Sequence, residues 1–421
     1  MGSKYSSGTN VAIIFDDLTE FFVMRDAVDD LIKKKIPVDI IVPYDSGYNG
    51  LPEHTYNYIK NLGYKPKKDV SKGQYYKVLL TPYPEFKILE RLKYTYHLKY
   101  PYGALSAKPN PTYLPEWKVP YDGIFSFNTY EPRFLKAYGA DCYTVPYWKY
   151  HNFKKHARQS EKPNLLVLPT FGSDISCIGL FTDELVKSLR QNYHVISKAH
   201  HAVHFNLKGD DALETLKNLS DEFYDSDIPV QQLLQKADLV LSDNSGAIFE
   251  AICAGVPIAL FAKSCDKRSL GIIKPLHCSL VEQKVIPCAG QAKDVLPMLK
   301  SIGVYSKKQT AIKEELFMEI GKNPVSALTD IIKKYLALDP ETDYQKATHG
   351  LLVDYMNSSR ATIADLRAKV EADANDIAHL REQLSERDKV ISDIYNSTSW
   401  RITKPMRNIK QLGKKKGEKN G

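Results

Sequence analysis

Residues 237–261 constrain the fold more than any other stretch of this chain. They read Ala-Asp-Leu-Val-Leu-Ser-Asp-Asn-Ser-Gly-Ala-Ile-Phe-Glu-Ala-Ile-Cys-Ala-Gly-Val-Pro-Ile-Ala-Leu-Phe. A short apolar strand, Asp238–Ser242, meets a polar turn. A helix runs from Ser245 to a Gly-Val-Pro stop, and a second apolar strand, Val256–Phe261, follows. Two buried strands joined through a helix belong to a parallel sheet. Asn10–Phe15, the helical residues 18–34 and Pro37–Pro43 repeat the pattern, as do Asn164–Pro169, residues 174–192 and Tyr193–Ser197. Tyr76–Thr81 and Gly123–Phe127 predict later strands of the first sheet, and residues 309–336 a closing helical region. The expected class is α/β with two Rossmann-like domains and a cleft between them. The length of 421 residues, too long for one ordinary core, agrees.

The polar segment 151–163 is the expected linker. It separates a first domain over 1–155 from a second over 156–338. Residues 95–122, rich in Tyr, Pro and Gly, are expected to form a long loop over a site. The six cysteines form no C-x-x-C pair, which predicts free thiols in a reducing compartment. His201 and His204 lack the partners zinc needs, so no metal or cofactor is expected. No apolar run approaches the ~20 residues of a membrane span.

Charge is distributed unevenly. Residues 401–421 hold eight of the 58 Lys and Arg and one of the 50 Asp and Glu, leaving 50 basic and 49 acidic groups elsewhere. The body of the protein is thus near neutral, which argues against a nucleic-acid partner.

The polar turn after Asp238–Ser242 carries the first candidate site. Asp243, Asn244, Ser245 and Gly246 sit where a strand feeds a helix, and free backbone N–H groups there bind anions. Glu250, just over one helical turn on, is placed to reach a ribose hydroxyl. Lys198 and His200 follow another strand and suit a phosphate, or stand in a solvated loop. Thr170 and Ser173 precede a helix, where Ser173 serves as an N-cap, a phosphate contact or both. For a general base deprotonating an acceptor hydroxyl the candidates are Asp16 and Asp17, after the first strand, and His97, in the Tyr-rich loop. A turn-forming Asp pair is the plain alternative.

Beyond residue 358 the pattern changes. Ile363, Val370, Ile377, Leu384 and Ile391 recur every seven residues as a positions, and Leu366, Leu380 and Ile394 fill d positions. Asp373 and Arg387 occupy the other two d positions. This predicts a coiled coil within 339–396, hence a homo-oligomer or a partner helix. In the tail, 397–421, Trp400, Ile402, Met406, Ile409 and Leu412 lie among Arg401, Lys404, Arg407 and Lys410. That mixture predicts binding to a membrane surface.

Asp243-Asn-Ser245, Phe249-Glu250 and Gly255-x-Pro257 resemble the signature of CDP-glycerol glycerophosphotransferases, which build teichoic-acid-type polymers. Lys198-Ala-His200 is similar to their Lys-x-His-Pro, and Pro169-Thr170 to their Pro-Thr. Asn244, Gly246 and His201 depart from the pattern. Asp-x-Ser-Gly followed by Glu and Gly-x-Pro also resembles UDP-sugar glycosyltransferases and nonhydrolysing 2-epimerases. Ser399-Trp-Arg-Ile-Thr-x-Pro-Met-Arg resembles a tail of bacterial surface-polysaccharide glycosyltransferases. The resemblance implies a GT-B-like transferase moving a glycerol-phosphate or glycosyl group from a nucleotide-activated donor to a polysaccharide or lipid-linked acceptor. It implies a cytoplasmic enzyme held peripherally on the inner face of a bacterial membrane. A UDP-sugar 2-epimerase is the alternative enzyme, and a scaffold of a polysaccharide assembly complex the alternative outside enzymes.

Overall fold

The computed structural model describes residues 10–44, 51–82, 87–101, 103–104, 121–135, 141–151, 153–170, 176–200, 209–225, 228–263, 275–318, 323–338 and 343–398. Ser173, His201, His204 and the basic tail from residue 399 lie outside the described residues, as does most of the expected Tyr-rich loop.

Residues 1–342 and 343–421 form two compact units. The first is built on two six-stranded sheets. One contains β1 (Val11–Ile14), β2 (Val38–Ile41), β3 (Gln74–Thr81), β4 (Leu92–Lys99), β5 (Gly123–Ser126) and β6 (Cys142–Thr144) in the order β2-β1-β3-β4-β5-β6. The other contains β7 (Asn164–Leu168), β8 (His194–Lys198), β9 (Glu222–Tyr224), β10 (Leu239–Ser242), β11 (Ile258–Phe261) and β12 (Cys288–Ala289) in the order β12-β11-β10-β7-β8-β9. Every pairing is parallel. Val11–Ile14 and Leu239–Ser242 are buried throughout, as strands covered on both faces must be.

The order of strands creates two crevices. From β7 the chain moves to β8 on one side, and from β10 to β11 on the other. The connections leaving β7 and β10 therefore run to opposite sides in the strand order, and ligands bind at such switch points. The first sheet has the same device between β1 and β3.

Two expectations are corrected. His97 does not stand in a loop: residues 92–99 form β4, paired with β3 from Gln74↔Leu92 to Thr81↔Lys99. The connection from β3 to β4 is short, and its described residues hold a 3-10 turn, Lys87–Arg91. The helical span expected over 174–192 is broken into a 3-10 turn, Ile178–Leu180, and the helix Asp183–Asn192, capped by Thr182 Oγ1 on the Leu185 N–H.

The helix Ala247–Ala254 follows β10 and ends at Gly255, whose φ of 69° is left-handed. A side chain there is strained, and Pro257 bars continuation. The helix Ser326–Ala337, which the sequence places with the second domain, packs on the first sheet. Thr329 Oγ1 donates to Asp30 Oδ2 at 2.6 Å and Tyr335 Oη to the Asp122 carbonyl at 2.7 Å. Residues Asp343–Asn396 form one continuous helix in the second unit. No helix among the described residues is long and apolar enough to cross a membrane.

Candidate functional site

Lys198 ends β8, Thr170 follows β7 by two residues, and Asp243 follows β10 directly, so three adjacent strands deliver them to one sheet edge. Asp243 is fully buried. Its two carboxylate oxygens accept the Thr170 N–H at 2.9 and 3.0 Å, and Oδ2 also accepts the Cys177 N–H at 2.8 Å. The carboxylate thus fastens the loop after β7 to the loop after β10 across the switch point. Burial, and then the charge of Asp243, push the Cys177 thiol well above its usual range.

Asn244 is buried, and its Oδ1 lies 3.0 Å from His277 Nε2. Ser245 donates its N–H to the Asp243 carbonyl at 2.9 Å, while its Oγ accepts the Ala247 N–H at 3.3 Å. Gly246 precedes the helix with no side-chain cap. Lys198 is 7% exposed, with Nζ 3.0 Å from the Ala199 carbonyl. His200 follows, half-buried.

Glu250 lies on the inner side of its helix, beside the segment that leaves β6. It accepts Tyr147 Oη on Oε1 at 2.6 Å and Tyr150 Oη on Oε2, with Lys149 Nζ 3.5 Å from Oε2. Burial, and then the Glu250 charge, hold both tyrosine hydroxyls well above their usual range. The same segment is anchored in the first domain. Tyr147 stacks on Phe127 at 4.3 Å, and Trp148 Nε1 donates to the Val23 carbonyl at 2.9 Å. Glu250 therefore ties the helix after β10 to the first domain.

At the edge of the first sheet, Asp17 is the N-cap of the helix Leu18–Lys33, accepting the Glu20 N–H at 3.0 Å. Glu20 Oε2 in turn accepts the Asp16 N–H at 2.6 Å, a reciprocal capping arrangement shifted by one residue. Asp16 is 2% exposed. Nearby, Tyr100 Oη donates to the Ile14 carbonyl at 2.5 Å. His97 is buried, its Nε2 2.9 Å from Thr81 Oγ1 and its ring 4.6 Å from that of Tyr121.

No protein-family model matches the chain, and no curated protein matches it. Solved structures do. A putative UDP-N-acetylglucosamine 2-epimerase from Listeria monocytogenes matches with a TM-score of 0.52 and 14% identity, over 79% of this chain and 98% of that one. The wall teichoic acid polymerase TagF matches with a TM-score of 0.52 and 14% identity, over 77% and 88%. An MnaA–UDP complex from S. aureus matches with a TM-score of 0.52 and 14% identity, over 80% and 99%. Identity this low speaks to fold alone. The chain has a GT-B-like fold.

Within that fold all the described residues singled out from sequence but Glu250 fall into two groups. Thr170, Lys198, His200 and Asp243–Gly246 gather at the switch point of the second sheet. Asp16 and Asp17 stand at the switch point of the first, with His97 two strands along from β1. Glu250 belongs to the contact between domains. His277, Tyr147, Lys149 and Tyr150 were not legible as site residues. Tyr147-Trp-Lys-Tyr150 is an aromatic cluster between two domains, which is its only signal; His277 has none in its spacing. A cavity of about 460 Å³ lies beside Lys149, lined also by Phe22, Arg25, Trp148 and His151, and no residue singled out from sequence lines it. Because it misses both switch points, topology is the better guide to the site.

Proposed function

We propose that the chain transfers a glycerol-phosphate or glycosyl group from a nucleotide-activated donor to a bacterial envelope polymer. The observation that carries this reading is the convergence of Lys198, Thr170 and Asn244–Ser245 at the switch point of the second sheet. An ammonium and the hydroxyls of Thr170 and Ser245 at one crevice suit a donor's phosphates. Lys198 then offsets the charge that develops on the departing nucleotide phosphate. The acceptor hydroxyl attacks from the side of the first domain and gives its proton to a base there. Asp16, Asp17 and His97 are the candidates. The likeness to TagF is one of fold, and the polymer acceptor rests on the sequence resemblance. The basic tail is proposed to hold the enzyme on the inner membrane face.

A thermal-shift panel of CDP-glycerol, CDP-ribitol, UDP-sugars and CMP-sugars tests the reading, since a ligand of the folded state raises the melting temperature by mass action. The donor that binds should bind Lys198→Ala and Ser245→Ala about 10- to 150-fold more weakly, the loss expected for a charge-assisted contact. Parental affinity in both variants rejects this site.

The likeness in fold to a putative UDP-N-acetylglucosamine 2-epimerase and to a UDP-bound protein favours a second reading, a 2-epimerase. Proton NMR of a UDP-N-acetylhexosamine with enzyme and no acceptor separates the two. Interconversion of the C2 epimers supports the epimerase, and an unchanged sugar rejects it.

A further inference from the structure

The helix Asp343–Asn396 has 54 residues and so spans about 81 Å. Along it, Leu366, Val370, Ile377, Leu380, Leu384 and Ile391 are 49–67% exposed. These are a and d positions of one seam, and such a seam in water calls for a partner helix. The charged residues at two d positions identify that partner. In a parallel, in-register pair Asp373 faces Asp373 of the second copy, and Arg387 faces Arg387. Two like-charge contacts at core positions oppose that pairing.

An antiparallel pair removes both conflicts. Such pairs set a positions of one helix against d positions of the other. Leu366 then faces the second copy's Ile391, Val370 its Arg387, Asp373 its Leu384 and Ile377 its Leu380. In this register Asp373 lies one layer from the second copy's Arg387, about 4.5 Å along the axis at 1.5 Å per residue. The twofold axis repeats the contact, so both charged d residues gain an opposite charge. The long Arg387 side chain can leave its stem in the seam and carry its guanidinium to Asp373. A parallel pair staggered by two heptads also sets Asp373 against Arg387, but it leaves part of each seam uncovered and does not close. We propose that this helix pairs with a second copy of the chain, antiparallel, with Leu366 opposite Ile391.

The test uses the full chain. Light scattering should give the mass of a dimer. Leu366→Cys and Ile391→Cys proteins, oxidised separately and as a mixture, should yield a disulfide joining residues 366 and 391 in the mixture alone. Peptide mass mapping separates this link from any made by native cysteines. Asp373→Arg should weaken the dimer at least about tenfold by setting a like charge one layer from Arg387, and adding Arg387→Asp in the same chain should restore it. A monomeric mass, a 366–366 link in the Leu366→Cys protein, or an unchanged dimer in Asp373→Arg overturns the proposal. So does a mixture without the 366–391 link.

Discussion

Asp243→Ala should lower the stability of the folded chain by about 2–6 kcal/mol with no donor present. The carboxylate is fully buried and serves the main-chain N–H groups of Thr170 and Cys177. Its removal leaves two buried donors unsatisfied, at about 1–3 kcal/mol each. Asp243→Asn should cost less, because the amide keeps one acceptor oxygen. Urea titration provides the measurement: the midpoint should fall with little change in slope. The same variant should speed modification of Cys177. The negative charge that helps to hold its thiol protonated is gone, so the thiol's pKa moves down towards its ordinary value, and the loop over it loosens. A midpoint within error of the parent would show that Asp243 does not hold this loop.

The fold was legible where burial is extreme and the strand–helix alternation regular. Val11–Ile14, Asn164–Leu168 and Leu239–Ser242 are apolar because both faces are covered, and they stand out in the sequence. β4 was not legible. Leu-Lys-Tyr-Thr-Tyr-His-Leu-Lys mixes polar and aromatic residues, and among the described residues only a 3-10 turn separates it from β3. Its polar members find partners that only the sheet supplies: Thr81 for His97 and Tyr75 for Thr95. The switch-point loops could be placed from sequence because they follow strands directly. The roles of carboxylates with distant partners could not, since a role depends on what faces the side chain. Asp17 lies within three residues of its partner's N–H, so its capping is local and readable from the spacing to Glu20. Asp243 and Glu250 take partners 66 or more residues away, which no local pattern announces.

Glu250→Ala should cost about 3–5 kcal/mol, the range for removing one member of a buried ion pair. Lys149 and Glu250 have side chains only 8% and 11% exposed, and two tyrosine hydroxyls share the carboxylate. Glu250→Gln retains an acceptor and should cost less. Tyr147 and Tyr150 have pKa values raised above 10.0, chiefly by burial and then by Glu250. A raised folded pKa means that their contribution is fully present below pH ~10 and is lost as pH rises beyond it. The tyrosines' contribution should therefore not change with pH between ~6 and ~9, as thermal melts of the parent and of Tyr147→Phe across that range would report. The same carboxylate is the one that the sequence places to hold a ribose hydroxyl, so a donor has to share it with these tyrosines or displace one. Tyr147→Phe together with Tyr150→Phe removes the competition. If Glu250 takes the ribose, the double variant should melt lower yet bind the nucleotide donor more tightly. Stability and affinity then move in opposite directions. Lower stability with unchanged donor affinity would leave Glu250 as a tie between the domains and assign the ribose to another residue.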